Sequence, residues 1–310
     1  MNLSNIRVAI TGGLGFVGKS LQKKISQYDF KEVRIIRSKE FDLRVLEDAV
    51  EAFKGIDYVI HMAGITGGIE FTKKNQGSVY FDNITITTNV LESCRLNNVA
   101  KIVSIGSVCS YPKFPELPFK EADIWKGYPE EVNAPYGMAK KMLIVQGEAY
   151  KNQYGMKSQV LLVTNLYGPE DTFEKDKSHV VPAMIVKFFD AIQNNKKEVV
   201  LWGDGTPTRD LLFVDDLTDA LMLSLLTDSD VSPINIGSGN EISIKDLALL
   251  IRKLMGGTFD IIWDTSKENG QPRRILDINL AKDELKFIPK VSLEDGLLKT
   301  IEFYKENFVE

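Results

Sequence analysis

Along the first half of the chain, short and mostly apolar runs alternate with longer stretches in which apolar residues recur every three or four positions. RVAIT (7–11), EVRII (32–36), DYVIH (57–61), KIVSIG (101–106) and QVLLVT (159–164) read as strands, with helices starting near Phe16, Arg44, Gly77 and Tyr136. Strands that are apolar on both faces and separated by helices predict an α/β protein with a doubly wound parallel sheet. Sheets of this kind hold ligands beyond the carboxyl ends of their strands. After Gly168-Pro169 the pattern changes: a polar loop EDTFEKDKS, a helix near 180–194 and a strand at EVVLW (198–202). LLFV (211–214), a helix over 215–226 and PINIG (233–237) then read as a return to the sheet, and the chain ends in a helix at 293–307. These switches divide the chain into residues 1–167 plus about 211–237, and a smaller α/β lobe of about 168–210 plus 238–310.

Composition narrows the class without naming a reaction. A chain of 310 residues is long enough for two joined lobes, and 44% hydrophobic with 26% charged residues is ordinary for a globular protein. The net charge of -5 gives no basic surface for nucleic acid or an anionic membrane, and no apolar run reaches the length of a membrane span. The opening MNLSNIRVAITGG runs into a strand with no signal-peptide pattern, and two cysteines form no disulfide framework, so the expected compartment is the cytoplasm. Two cysteines and two histidines also make no usual zinc site, and no metal is expected.

The first candidate chemistry lies at ITGGLGFVG (10–18), where Gly12, Gly15 and Gly18 fall three apart between a strand and a helix. The first glycine suits a tight turn, the second the approach of a pyrophosphate, and the third close helix–strand packing, which together predict a Rossmann-type dinucleotide site. Where the second strand ends, Arg37, Ser38 and Lys39 stand instead of a ribose-binding acid, which favours a 2′-phosphate and hence NADP(H). Asp42-Leu43 reads as an adenine contact.

The second lies in SIGSVCSYP (104–112) and PYGMAKK (135–141). Tyr136 and Lys140, four apart on a helix, share one face, and Ser107 ends the fourth strand before them. A phenol titrates near ~10 when unperturbed, and a neighbouring ammonium favours its ionised form for proton exchange with a carbonyl. Cys109, two residues after the serine, is either a small buried hydrophobe or a second acid–base group.

TGGLGFVG, Ser107 and Tyr136-Gly-Met-Ala-Lys140 resemble the extended short-chain dehydrogenase/reductases that act on nucleotide sugars. Within these, SVCSYP, VNAPYGMAK, VTNLYGPEDTF, SHVVPAMI, LWGDGTPTRDLLFVDDL and VSLEDGL resemble the GDP-L-fucose synthase family along almost the whole chain. The resemblance implies 3,5-epimerisation and NADPH-dependent reduction of a GDP-4-keto-6-deoxy-hexose by a homodimer. It implies that Cys109 and His179 exchange protons at the carbons beside the ketone, with Ser107, Tyr136 and Lys140 serving reduction. It extends the cofactor contacts to Phe16, Val17, Ala63, Asn165 and His179, and assigns Ser107, Asn165, Lys187, Trp202, Arg209 and Arg273 to the GDP-sugar. The physics agrees with two acid–base groups, because inverting a carbon needs proton removal on one face and delivery on the other. His61, in VIHMAG, is expected as a packed structural histidine.

Three loops depart from the family pattern: Glu170 and Thr172 after Tyr167-Gly168-Pro169, NGQP (269–272), and GITGGIEFTKKNQ (64–76). All are expected near the sugar and nucleotide, so they leave open a colitose-type or 6-deoxy-heptose substrate for the same chemistry. An epimerase that recycles its cofactor is a separate alternative, although lysine is the expected partner there rather than His179. A redox-sensing NADP-binding protein is a non-enzyme alternative, opposed by the intact Ser107, Tyr136 and Lys140.

Overall fold

A computed structural model describes residues 3–174, 178–267 and 269–308; Lys175–Lys177 of the polar loop therefore lie outside the described residues. The first half runs β1 (Arg7–Thr11), α1 (Phe16–Ile25), β2 (Glu32–Ile36), α2 (Leu46–Ala52), β3 (Tyr58–His61), α3 (Ile69–Lys74), α4 (Gln76–Leu96), β4 (Lys101–Ile105), α5 (Ala134–Tyr154) and β5 (Lys157–Val163). The second half runs β6 (Asn165–Tyr167), α6 (Val180–Gln193), β7 (Glu198–Trp202), β8 (Thr208–Phe213), α7 (Val214–Leu226), β9 (Ile234–Ile236), β10 (Glu241–Ser243), α8 (Ile244–Leu254), β11 (Asp260–Asp264), β12 (Arg273–Arg274), α9 (Asn279–Leu285) and α10 (Leu293–Phe308).

Six parallel strands form the main sheet in the order β2-β1-β3-β4-β5-β9. The strands read as apolar on both faces because both faces are covered. Ala9, Val59, Ile102 and Val160 pack under Ala49 of α2, Val90 and Leu91 of α4 and Leu143 of α5. Val8, Ile10, Ile60, Val103 and Leu161 pack against Leu21 and Ile25 of α1 and Leu217 and Leu221 of α7. Each such aliphatic side chain contributes about 1.5–3 kcal/mol on burial, which makes the sheet a rigid platform. The strand order turns between β1 and β3, where the register sets Thr11 opposite His61 and His61 opposite Ser104. The crevice expected at such a turn is flanked by the chain leaving β1, β3 and β4.

Local signals explain where the long helices begin and end. Pro135 sits in the first turn of α5, and Gly155, at φ 71, takes the left-handed cap that ends it. Ser243 caps α8 by accepting from the Asp246 N–H, and Ser292 does the same for α10 through Asp295.

The second lobe has its own core, with Phe188, Leu201, Phe213, Leu247, Ile251, Phe259 and Ile301 buried together. β8 lies at its centre, antiparallel to β10 and parallel to β12 and β6, while among the described residues β7 pairs with β11 alone. The expectation that LLFV returns to the main sheet is therefore corrected: residues 211–213 belong to β8 in the second lobe. The return is made by α7 and β9: Leu211 and Phe213 of β8 are buried in the second lobe's core, while Leu212 between them packs into the core of the main sheet. His61 is fully buried, and its Nδ1 lies 2.8 Å from the Thr11 hydroxyl. Burial holds its pKa well below the usual imidazole value, with Lys140 adding to the effect, so it is packed as a neutral ring. No helix of the described residues is long and apolar enough to cross a membrane.

Candidate active site

The turn after β1 forms a cradle. Gly12 has φ +70, and a Cβ there would stand 2.8 Å from the Ala63 nitrogen; a Cβ on Gly18 would stand 2.3 Å from the Gly12 carbonyl. Side chains are excluded at both positions, which lets β1, α1 and the end of β3 close on one another. Above Gly15 there is room, the nearest atom to a Cβ being the Gly12 oxygen at 3.5 Å. Gly15 precedes α1 with no side-chain cap, so the first-turn N–H groups, those of Phe16, Val17 and Gly18, have no acceptor within the helix. An open floor facing helix N–H groups fits the pyrophosphate of a dinucleotide. Ala63 is held at the rim by its N–H to the Thr11 hydroxyl at 3.1 Å.

Past β2, Arg37 and Lys39 are exposed. Arg37 lies 3.6 Å from Glu40, with both side chains more than half exposed, a pair too weak to prevent Arg37 from swinging to a phosphate. The Asp42 carboxylate takes the Arg44 guanidinium at 2.8 Å, which holds its pKa down to about 2. Leu43 is buried and its carbonyl accepts from Asn89 at 3.1 Å, so Leu43 shapes this edge from below.

The end of β4 carries Ser107 and Cys109. Ser107 is buried and caps the turn Val108–Ser110, its Oγ accepting the Cys109 N–H at 3.1 Å, which leaves the hydroxyl proton to be donated. The turn packs directly on α5: a Cβ on Gly137 would stand 2.1 Å from the Cys109 carbonyl, and Ser110 Oγ donates to the Gly137 carbonyl at 2.9 Å. This contact brings the thiol beside Tyr136. The Tyr136 phenol is only partly covered yet deeply surrounded; burial lifts its pKa well above the usual value, Cys109 adds to the rise and the Thr66 side chain partly offsets it. Lys140 is itself 2% exposed, makes no hydrogen bond among the described residues, and is brought down to about 8 by burial. A buried ammonium without a partner is costly and suits a site completed by a polar ligand.

The opposite wall comes from the second lobe. Arg209 of β8 donates to the carbonyls of Thr208 at 2.7 Å and Gln271 at 2.8 Å. Burial lowers its pKa to about 10, Arg274 acts in the same direction, and Glu130 and Cys109 oppose it, which places all four groups in one electrostatic cluster. His179 occupies the cap position of α6, but its side chain makes no capping bond. His179 keeps exposed surface, the protein packed around its ring lowers its pKa, and no hydrogen bond ties it to the other candidates among the described residues. Asn165 opens β6, half-buried at the junction between β5 and the second lobe. Trp202 is exposed rather than core, with Lys187 and Lys267 ammonium groups 6.0 and 5.7 Å from its ring centre, and Lys187 also donates to the Val200 carbonyl.

Two adjacent arginines of β12 face opposite ways. Arg273 points outward and pairs with Glu241, whereas Arg274 turns into the cleft, 9% exposed, with its Nη1 3.8 Å from Cys109 Sγ. Successive residues of a strand face opposite sides, so the parity of β12 decides between them. Arg274, its partners Glu130 and Gln271, and Thr66 were all missed. The departing loops 269–272 and 64–76 contain two of these four, which was the available signal. In the third departing loop, Glu170 forms an ion pair with Lys19 of α1 at 2.7 Å, joining that loop to the cofactor end.

Residues 8–237 match the family described as NAD dependent epimerase/dehydratase family. A probable GDP-L-fucose synthase 1 of Oryza sativa subsp. japonica is 36% identical over 98% of this chain and 93% of that protein. A GDP-6-OMe-4-keto-L-xylo-heptose reductase from C. jejuni has a similar structure, with TM-score 0.90, 26% identity and 98% coverage of each chain. A GDP-L-fucose synthetase from Naegleria fowleri bound to NADP gives TM-score 0.89 at 26% identity, covering 99% of this chain and 97% of that one.

Proposed function

The chain belongs to the NAD dependent epimerase/dehydratase family, and from that premise we propose that it is an NADPH-dependent 3,5-epimerase and 4-keto reductase of a GDP-4-keto-6-deoxy-hexose, converting GDP-4-keto-6-deoxy-D-mannose to GDP-L-fucose. The observation that carries this reading is Cys109 itself: its backbone N–H is held by Ser107 Oγ, and its charge acts on the Tyr136 phenol. A reductase alone has no use for a second acid–base group there.

In this reading the Cys109 thiolate takes a proton from a carbon beside the ketone, and the C–H electron pair passes to the ketone oxygen, giving an enolate. His179, free of any cap bond, returns a proton to the other face of that carbon. Ser107 donates a hydrogen bond to the oxygen throughout, and Tyr136 delivers its proton there during reduction. Lys140, buried and without a hydrogen-bond partner among the described residues, would find acceptors on the bound nucleotide. Bound NADPH supplies the hydride to the ketone carbon. The glycine cradle, Arg37 and Lys39 hold the cofactor, Arg209 the diphosphate through its forked donors, and Trp202 with Lys187 the nucleotide.

The cofactor side is built on the main sheet, residues 3–163 together with α7, β9 and α9, while β6 goes with β8 to the sugar side. Two copies join through α4 and α5. Leu143 and Ile144 of α5 are core residues, but Tyr80, Phe81 and Val145 leave an apolar face exposed there. Light scattering at micromolar concentration that gives a monomer overturns this assembly. The free cysteines suit the reducing cytoplasm.

Incubation with NADPH and GDP-4-keto-6-deoxy-D-mannose tests the activity. Stoichiometric NADPH loss with GDP-L-fucose formed supports it; recycling without net loss assigns an epimerase, and no turnover overturns it. The fold match to the C. jejuni heptose reductase favours one second reading, the same chemistry on a GDP-heptose, read by substituting that substrate.

A further inference from the structure

We propose that Arg274, oriented by Glu130 and Gln271, sets the ionisation of the Cys109 thiol and is thereby a positioning residue for proton exchange. The guanidinium is held on three edges. Nε donates to Gln271 Oε1 at 2.6 Å, Nη2 to Glu130 Oε2 at 3.1 Å, and Nη1 points at Cys109 Sγ from 3.8 Å. Its supports are fixed in turn. Gln271 Nε2 donates to the Lys113 carbonyl at 2.8 Å, which turns the amide oxygen toward Arg274, and Asn133 donates to Glu130 at 2.7 Å. The ion pair is sheltered, with side-chain exposures of 11% and 19%, so solvent screens it little. Few contacts in the chain span so much sequence for one thiol: 165 residues separate Arg274 from Cys109.

A cation at this distance stabilises the thiolate over the thiol, and the carboxylate on the cation's far side limits the gain. The groups facing Cys109 are Tyr136 of α5, Arg209 of β8, Arg274 of β12 and Glu130 of the segment before α5. Two guanidinium groups against one carboxylate leave a positive surplus at the sulfur. Tyr136 stays protonated at neutral pH, and Lys140 and His179, the other titrating groups of the cleft, are common to every variant below.

The inference rests on the proposed epimerase reading for its purpose, but not for its test. Iodoacetamide alkylates a thiolate, with a thioether forming and iodide leaving, and needs no sugar substrate. Cys94 is fully buried with its thiol pushed far up, so Cys109 is the reporting site, with Cys109→Ser as the blank. The alkylation rate of Cys109, followed by peptide mass across pH 5–10, is compared in the wild type, Arg274→Gln, Arg274→Lys and Glu130→Gln. At neutral pH, Arg274→Gln is expected to react about ten-fold more slowly, its profile displaced upward by one unit, with Arg274→Lys in between. Glu130→Gln moves the profile the opposite way and reacts faster, a sign that loosened packing does not produce. An unmoved profile in Arg274→Gln, or a shift of both variants in one direction, overturns the proposal. So does a raised KM with the profile unchanged, which makes Arg274 a diphosphate anchor. Deuterium exchange into the keto-sugar is the second arm. If alkylation shifts as stated and no variant or wild type exchanges deuterium, the tuning of the thiol stands and the epimerase reading falls.

Discussion

The two walls of the cleft are built in opposite ways. The sheet wall presents Ser107, Cys109, Tyr136 and Lys140 from one strand end and one helix, where spacing along the chain fixes which side chains share a face. The lobe wall presents Arg209, Arg274 and His179 from a six-residue strand, a two-residue strand and a helix start, paired across tens of residues. β12 touches β8 at only two register positions, Arg273 to Thr208 and Arg274 to Arg209. Local rules therefore place the first wall, while the second depends on register that only the folded chain establishes. On the proposed mechanism, reduction draws on the sheet wall alone, whereas epimerisation needs groups from both.

That division has a direct consequence. Tyr136→Phe removes the proton donor for the ketone oxygen and is expected to slow NADPH oxidation about a hundred- to ten-thousand-fold while deuterium still enters the sugar carbons in heavy water. Cys109→Ser, nearly isosteric, is expected to slow deuterium entry by a similar factor and to leave cofactor binding intact. Mass spectrometry of the sugar, with and without NADPH, reads both. Equal loss of both half-reactions in either variant makes the two walls one catalytic unit, and wild-type deuterium uptake in Cys109→Ser returns the thiol to a packing role.

The next largest effect is on stability, and it separates the walls by burial. Lys140 has a pKa of about 8 against the ordinary 10.5, because burial disfavours its charge. Below pH 8 the amine is protonated in both folded and unfolded chains, and the folded chain bears the full penalty. Between pH 8 and 10.5 the unfolded chain binds more protons, so stability rises with pH and the penalty fades. Lys140→Met is accordingly expected to melt a few degrees above the wild type at pH 7 in the absence of cofactor, the gap closing toward pH 10, while reduction is lost. A variant that melts lower at pH 7 shows that the ammonium is already compensated.

The same contrast explains what the sequence could disclose. The main sheet was legible because β1, β3, β4 and β5 are buried on both faces and read as unbroken apolar runs. LLFV looked the same and was misplaced, since a run of apolar residues states that a strand is buried and not in which core. Gly12 and Gly18 were legible because their roles follow from sterics within one turn. Arg274 was not, because its neighbour Arg273 is chemically identical and only the parity of a two-residue strand distinguishes them. Thr66 and Glu130 were invisible for a related reason: a hydroxyl and a carboxylate in polar loops acquire meaning only from the group opposite them.

At the cofactor end, where the cradle is local but the nucleotide-selecting residues are exposed, a smaller effect is expected. Among the described residues the Arg37 guanidinium has one ion pair to give up, the loose contact with Glu40, and on the proposed reading it exchanges that for a 2′-phosphate. Arg37→Ala is expected to reduce the preference for NADPH over NADH, measured as the ratio of kcat/KM values, by about ten-fold. A preference that survives the change assigns the phosphate to Lys39 or to backbone donors instead.

The smallest effect is the sharpest test of the lobe wall. If strand parity assigns the cleft to Arg274, then Arg273→Ala touches nothing that binds or reacts. Its guanidinium is half exposed, faces away from Cys109 and engages Glu241, which also accepts from the Thr208 hydroxyl at 2.7 Å and so keeps a partner after the change. Exposed pairs of this kind contribute little because solvent already satisfies both ions. The expected outcome is a kcat/KM within two-fold of the wild type, unchanged across ionic strength, beside a strong effect of Arg274→Gln on thiol reactivity. Should Arg273→Ala instead raise KM for the GDP-sugar by ten-fold, the arginine leaves Glu241 to meet substrate. The second wall then closes on its ligand by exchanging partners at β12, and the cleft described here is its open form.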